Sequence, residues 1–375
     1  MSDVRKNIEA LKAIAADPRK QLDRVLAEGK KAIGVIPYFA PEELVYAAGM
    51  VPFGMWGAET QVSESKRYFP AFYCSIIHTA LDLGIKGEYD GLSAVMIPLT
   101  CDTLKGMGAN WRYGVKNIPV IDVAYAQNRT IPAGEEFTES QFKKIRRQVE
   151  EIAGVKISDK ALAEANKVYN ANRKECLRFT ELAASHPQTV SLTDRAMVLK
   201  ARYFVERDVH TALIKELNDA LEVLPEEKAK GSRIVTTGII ADSPELLGIL
   251  QDNGFVIAAD QITHESVDFR SLADETIDPV KALAKRLNGI KGTSVLFDPA
   301  KSRNTELAEI AKAVKDDGVL WVLTKFCDPE EFDYVPAKKI LDEAGIPMLQ
   351  IEIDQQMVNY EQIRTAIETF KDMLG

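Results

Sequence analysis

The strongest constraint in this sequence is a pattern that occurs twice. Residues 35–57 read VIPYFAPEELVYAAGMVPFGMWG, and residues 236–260 read TTGIIADSPELLGILQDNGFVIAAD. Each runs from an apolar strand through a loop to Pro-Glu, an amphipathic helical stretch, a glycine and a second apolar strand. Further on, each is followed by a strand that ends in Cys-Asp: MIPLT before Cys101-Asp102, and VLTKF before Cys327-Asp328. Strands separated by helical patterns imply crossover connections and a parallel sheet, so the chain is expected to fold as two α/β units. Any two such units share part of this grammar. Recurrence of both Pro-Glu and Cys-Asp, in the same order, favours diverged copies.

The first unit is predicted to hold strands at 32–37, 51–57, 92–99 and 118–126, with helices at 41–49, 75–86 and 102–112. The second is predicted to hold strands at 233–240, 255–260, 294–298, 318–326 and 346–354, and to end on a helix at 360–374. Before the first unit, Ile8, Leu11, Ile14, Leu22, Val25 and Leu26 recur at helical spacing, interrupted by Pro18. Residues 138–228 carry long helical patterns with almost no strand signal. The expected plan is a helical arm (1–30), an α/β domain (31–137), a helical segment (138–230) and a second α/β domain (231–375). The two domains are expected to be Rossmann- or flavodoxin-like, with parallel sheets of similar topology. A chain of 375 residues is longer than one core usually serves. Its net charge of −9, without a Lys/Arg-rich tract, argues against nucleic acid as a partner. The start, MSDVRKNIEALK, lacks the apolar core of a secretory leader, and no run approaches the ~18 apolar residues of a membrane span. The expected address is the cytoplasm, with no membrane partner.

Four cysteines in such a chain point to metal, redox chemistry or plain burial rather than disulfides. Cys101 and Cys327 each fall just past the C-terminal end of a strand, where open α/β sheets bind ligands. Each also enters a helix whose free N–H groups and dipole favour a thiolate. Asp102 and Asp328 are candidate caps. Cys74 likewise precedes a helical stretch, SIIHTALDLG. Zinc would call for local CxxC or Cys/His pairs, and none occur. On the residues alone, buried structural cysteines remain the leading reading and a cluster shared between the units the minority one. Cys176 lies among Val168, Tyr169, Leu177 and Phe179 in the helical segment, which suits packing.

The runs PEELVYAAGMVPFGMWG, YCSIIHTALDLG, PLTCDTLKG, LTKFCDP and IPMLQIEID, in that order, resemble the 2-hydroxyacyl-CoA dehydratase family, whose wider group includes benzoyl-CoA reductase subunits. The resemblance covers nearly the whole chain. It implies a heterodimer of two related subunits, each with two α/β domains around a [4Fe–4S] cluster held by three cysteines. Carried over, these are Cys74, Cys101 and Cys327, and Cys176 matches no family ligand. The implied reaction removes water from an (R)-2-hydroxyacyl-CoA to give an (E)-2-enoyl-CoA. An ATP-dependent iron–sulfur activator injects one electron, and the resulting ketyl radical anion expels hydroxide. The modest length, and a strand-to-helix loop IPYFAPEE without Ser or Thr, resemble the smaller, β-type subunit, with the acyl-CoA held mainly by the larger partner. A small aliphatic acyl group from amino-acid fermentation is the expected substrate. The alternatives are a subunit of an aromatic acyl-CoA reductase and a purely electron-relaying partner.

Other candidates are weaker. His78, one turn after Cys74, is either a donor to the cluster or an ordinary helix residue. His186, His210 and His264 have no ligand spacing. Lys105, four residues after Cys101, is either a solvated lysine or a charge that eases reduction of the cluster. Thr236, Thr237 and Gly238 could line a pocket or bind phosphate, but GxxxxGK[ST] is absent, so the chain is not expected to hydrolyse ATP. Residues 222–230 read as a solvated loop.

Overall fold

The computed structural model describes residues 2–37 and 39–375. The arm is two helices, α1 (Ser2–Ala16) and α2 (Pro18–Ala27). Pro18 takes the first turn of α2, where its missing N–H costs nothing, and Asp17 caps that helix by accepting from the Lys20 N–H at 3.0 Å.

The first unit runs β1 (Ala32–Val35), α3 (Glu42–Ala47), β2 (Val51–Gly54), α4 (Ser75–Ile85), β3 (Ala94–Pro98), α5 (Asp102–Gly114) and β4 (Val120–Val123). Four helices follow: α6 (Pro132–Ala153), α7 (Asp159–Ser185), α8 (Leu192–Ala201) and α9 (Arg207–Glu222). The second unit opens with β5 (Arg233–Gly238), α10 (Pro244–Asp252), β6 (Val256–Ile262), α11 (Ser266–Phe269), α12 (Pro279–Gly289) and α13 (Ser302–Val314). It closes with β7 (Gly318–Thr324), α14 (Asp328–Glu343), β8 (Met348–Ile353) and α15 (Glu361–Leu374).

Both sheets are wholly parallel. Their orders are β2-β1-β3-β4 and β6-β5-β7-β8, the same flavodoxin-like arrangement twice. The repetition seen in the letters is therefore a repetition in space. The inner strands β1, β3 and β7 are buried on both faces and read as mostly apolar runs, as parallel strands between helices must.

One predicted strand is absent. Residues 294–298 (SVLFD) form an irregular segment instead. In the observed order, β5 and β7 are direct neighbours with β6 and β8 at the edges, so the segment joins neither. Leu296 packs inward while Phe297 faces out, which a five-residue apolar run cannot announce from sequence.

A single apolar core spans both sheets, running from Leu22 and Ile33 to Leu320 and Phe370. A second core joins α1 to the helical segment through Ile8, Leu11, Cys176, Phe179 and Leu217. A buried ionic hub ties the helical segment to both units. Asp268 accepts from Arg202 at 3.0 Å and from Arg286, while Glu43 pairs with Arg173 at 2.6 Å and Glu42 with Arg207. Its arginines hold the Asp268 carboxyl far below the ordinary range despite its burial. Among the described residues no helix is long and apolar enough to cross a membrane.

Candidate metal centre

Cys74, Cys101 and Cys327 are the residues immediately before α4, α5 and α14, each at the N-cap position. The geometry follows from the fold. A parallel strand must turn sharply at its C-terminal edge to start the crossover helix, and the turn residue sits where backbone N–H groups are unpaired. At β7 the turn is tight enough to force Phe326 to φ +62°, a left-handed conformation that costs a residue with a Cβ about 1–2 kcal/mol. Asp102 and Asp328 prove to be the first helical residues, and neither N-terminus has a side-chain cap.

The three thiols line one cavity of about 430 Å³ between the two units, with Thr100, Lys105, Ser294, Phe297, Lys301 and Arg303 among its other walls. Cys101 and Cys327 come from equivalent turns of the two halves. Backbone N–H groups of Thr103 and Leu104 favour the Cys101 thiolate, as helix N-termini should, yet burial outweighs them and raises that thiol's pKa. Burial lifts Cys74 to about 12, with the Cys101 charge adding to it. Cys327 is also raised, first by burial and then by Glu330 and the two other cysteines. Each of the three cysteines is half-buried. Among the described residues no His, Cys, Asp or Glu group converges as it would on a single ion. Three thiols facing one cavity are the donor chemistry that an iron–sulfur cluster takes.

The second half adds a polar wall that sequence reasoning missed. Glu330 is fully buried and grips Arg303 with two oxygens, at 2.7 and 3.1 Å. Ser294 donates to Glu330 at 2.6 Å, and Thr237 accepts from Arg303 at 2.9 Å. The guanidinium also lies 4.3 Å over the Trp321 ring. Glu330 falls one turn after Cys327, the only hint in the letters. The expectation of a phosphate or pocket role for Thr236 and Thr237 is not met: both are buried, and Thr237 is occupied by Arg303. Gly238, at φ +150°, serves sheet packing, because a Cβ there would lie 2.3 Å from the Val322 carbonyl oxygen.

His78 lies outside the cavity lining. Its ring bonds Ser65 at 3.3 Å and the Pro70 carbonyl at 3.1 Å, and so fastens the loop that carries Cys74. Lys105 lines the cavity but is largely exposed and pairs with Asp102 at 3.0 Å. Cys176 is buried in α7, remote from the other three, and its thiol meets Asn172 at 3.7 Å. His210 is bonded within the helical segment, by Asn172 at 2.9 Å and Val198 at 3.1 Å. His264 bonds the Ile239 carbonyl at 3.0 Å, and His186 the Leu182 carbonyl at 2.9 Å. In the IPYFAPEE loop, Tyr38 lies outside the described residues.

A family profile described as "2-hydroxyglutaryl-CoA dehydratase, D-component" matches residues 37–374. The chain belongs to this family. The 2-hydroxyglutaryl-CoA dehydratase D-component match takes in the first unit from just after β1, the whole second unit but for its last residue, and all three cavity cysteines. The (R)-phenyllactyl-CoA dehydratase beta subunit of Clostridium sporogenes is 44% identical over 375 residues, covering 100% of both chains. The (R)-2-hydroxyglutaryl-CoA dehydratase beta subunit of Acidaminococcus fermentans is 39% identical over 98% of both. The beta subunit of lactoyl-CoA dehydratase from Anaerotignum propionicum is 37% identical over 100% of both. These relatives are subunits of dehydratases, and the family is one of lyases that act as complexes.

Proposed function

We propose that this chain is the β-type subunit of an (R)-2-hydroxyacyl-CoA dehydratase and holds one [4Fe–4S] cluster on Cys74, Cys101 and Cys327. The observation that carries this reading is the meeting of three helix-capping cysteines, drawn from both units, in one cavity. When bound, such a cluster would accept and return single electrons, which the family's elimination requires. The chain's own residues do the rest. The three thiols would bind it as thiolates, so loading releases protons that burial otherwise holds on the sulfurs. Lys105, Lys301 and Arg303 line the same space, each paired with a carboxylate: Asp102, Asp333 and Glu330 respectively. The dehydratase names of the relatives favour water elimination over reduction of an aromatic ring.

The beta-subunit names also support a partner, which we take to be a related, larger subunit that carries the acyl-CoA. An apolar rim fits this. Phe297, Phe326 and Phe332 line the cavity and remain exposed to solvent, Phe332 at 76%. Val335, one turn further along α14, is also exposed. Exposed apolar side chains gathered at one site mark a docking surface. An ATP-hydrolysing activator supplies the electron from outside, since the chain has no phosphate-binding loop of its own.

The test is anaerobic purification followed by iron and sulfide analysis. Wild-type chain should carry about four of each per chain. Serine at Cys74, Cys101 or Cys327 should remove most of the iron, and Cys176→Ser should leave it in place. Iron retained by any of the first three variants but lost from Cys176→Ser would overturn the assignment.

A further inference from the structure

The two halves share one strand order and the same last crossover helices, with α11 and α12 added in the second, and the shared part defines four corners of the cavity. Cysteine fills three. Cys101 and Cys327 are one matched pair, at the N-caps of α5 and α14 after β3 and β7. Cys74 stands at the N-cap of α4, the last helix before β3, which packs on α5. The counterpart of α4 is α13, the last helix before β7, which packs on α14. The N-cap residue of α13 is Lys301. The spacing agrees: Cys74 lies 27 residues before Cys101, and Lys301 lies 26 before Cys327. Lys301 also lines the same cavity as the three thiols.

Lys301 is not placed as a free surface lysine would be. Its backbone is left-handed, at φ +50° and ψ +38°, a conformation that residues with a Cβ adopt at a cost and that clusters at functional sites. Its ammonium is tied to Asp333, a buried carboxylate on α14 that Arg303 also approaches at 3.8 Å. Backbone and side chain therefore both hold the charge against the cavity wall.

This inference rests on the cluster reading above. Three thiolates leave one iron of a four-iron cluster without a protein sulfur. We propose that Lys301 faces that fourth iron and holds its non-protein ligand, a small anion, through a charge-assisted hydrogen bond from Nζ. A cluster with three thiolates is anionic and becomes more so on one-electron reduction. A tethered ammonium at the open corner favours the reduced form, and Asp333 keeps it there.

The experiment uses the full chain, purified without oxygen, as wild type, Lys301→Cys, Lys301→Gln and Lys301→Arg. Circular dichroism checks the folding of each variant, and Arg303, 3.8 Å from Asp333, still faces that buried carboxylate when Lys301 is replaced. Ferricyanide oxidation of the wild type should strip the open-corner iron and give the electron-paramagnetic signal of a three-iron cluster. Lys301→Cys supplies a fourth thiolate if the corner is correctly assigned, so that signal should be lost and all the iron retained. Lys301→Gln should keep its iron but be harder to reduce by about tenfold in equilibrium, which is about 59 mV for one electron. Lys301→Arg should restore most of that shift. A three-iron signal in Lys301→Cys equal to that of the wild type overturns the corner assignment. An unchanged potential in Lys301→Gln overturns the charge role. A wild-type chain that binds no cluster overturns the parent reading instead, and is told apart by its iron content alone.

Discussion

Phe326 and Glu330 bracket Cys327, and both are held at some cost. Phe326 occupies left-handed backbone so that the chain can leave β7 and start α14 with the thiol turned into the cavity. Glu330 is a fully buried carboxylate paired with Arg303. Breaking a buried pair leaves an unpaired charge and costs roughly 3–5 kcal/mol. Glu330→Gln should therefore lower the thermal midpoint markedly, whereas Glu331→Gln, at the next position and without a buried partner among the described residues, should shift it little. Differential scanning fluorimetry of the two variants decides this, and equal midpoints would show that the pair contributes nothing. The cysteines were legible from sequence because Cys-Asp after an apolar strand is a local pattern. Arg303 and Glu330 were not. They meet across 27 residues, and each alone looks like a charge on a solvated helix face.

Individual elements show the same division between pattern and context. Pro-Glu recurs at both first crossover helices, and the letters suggest one role. In the first unit Glu42 and Glu43 are buried and lock α3 to Arg207 and Arg173 of the helical segment. In the second, Glu245 is exposed and meets only Arg364, at 3.4 Å. Pro-Glu thus sets a helix start in both halves, while its burial depends on whether another layer lies on top. The prediction of a strand at 294–298 fails for a related reason: hydrophobic letters mark burial, and the cavity wall buries Leu296 without strand pairing. Helix ends give a cleaner expectation. α13 terminates at Lys315 with φ +51°, where glycine carries no Cβ penalty. Lys315→Gly should raise stability by up to about 1 kcal/mol in urea unfolding. A loss of stability would mean that the Lys315 side chain contributes more than its strain removes.

Across the whole molecule, the order of strands was readable because crossover rules leave few arrangements for strand–helix repeats. The ionic hub around Asp268 was invisible, since its members are spread over α3, α7, α8, α9, α11 and α12 and the residues that end them. Buried histidines make the molecule sensitive to acid. Burial pushes His210 down to about 3 and His264 to about 4, against about 6.5 in an unfolded chain. Between pH 6.5 and about 4 the unfolded chain takes up protons that the native state refuses, so stability falls as pH falls through that window. Glu265, raised to about 7, and Asp316, raised to about 6, both by burial, act in the opposite sense and offset much of this loss. On going from pH 7 to pH 5 the melting temperature of His210→Gln should shift upward relative to that of the wild type, because the variant loses one of the destabilising proton uptakes. An identical pH slope in that variant would remove His210 from the account.

The division of the three thiols between the halves also governs the order of events during synthesis. Cys74 and Cys101 emerge early, with a unit whose strands can already pair. Cys327 emerges some 226 residues after Cys101 and needs β5, β7 and β8 assembled before its turn can form. The cavity is therefore among the last features a growing chain completes. A nascent chain halted before β7 would expose two thiols and no pocket. A group that entered this cavity would meet a finished protein, and the apolar rim must stay soluble until then.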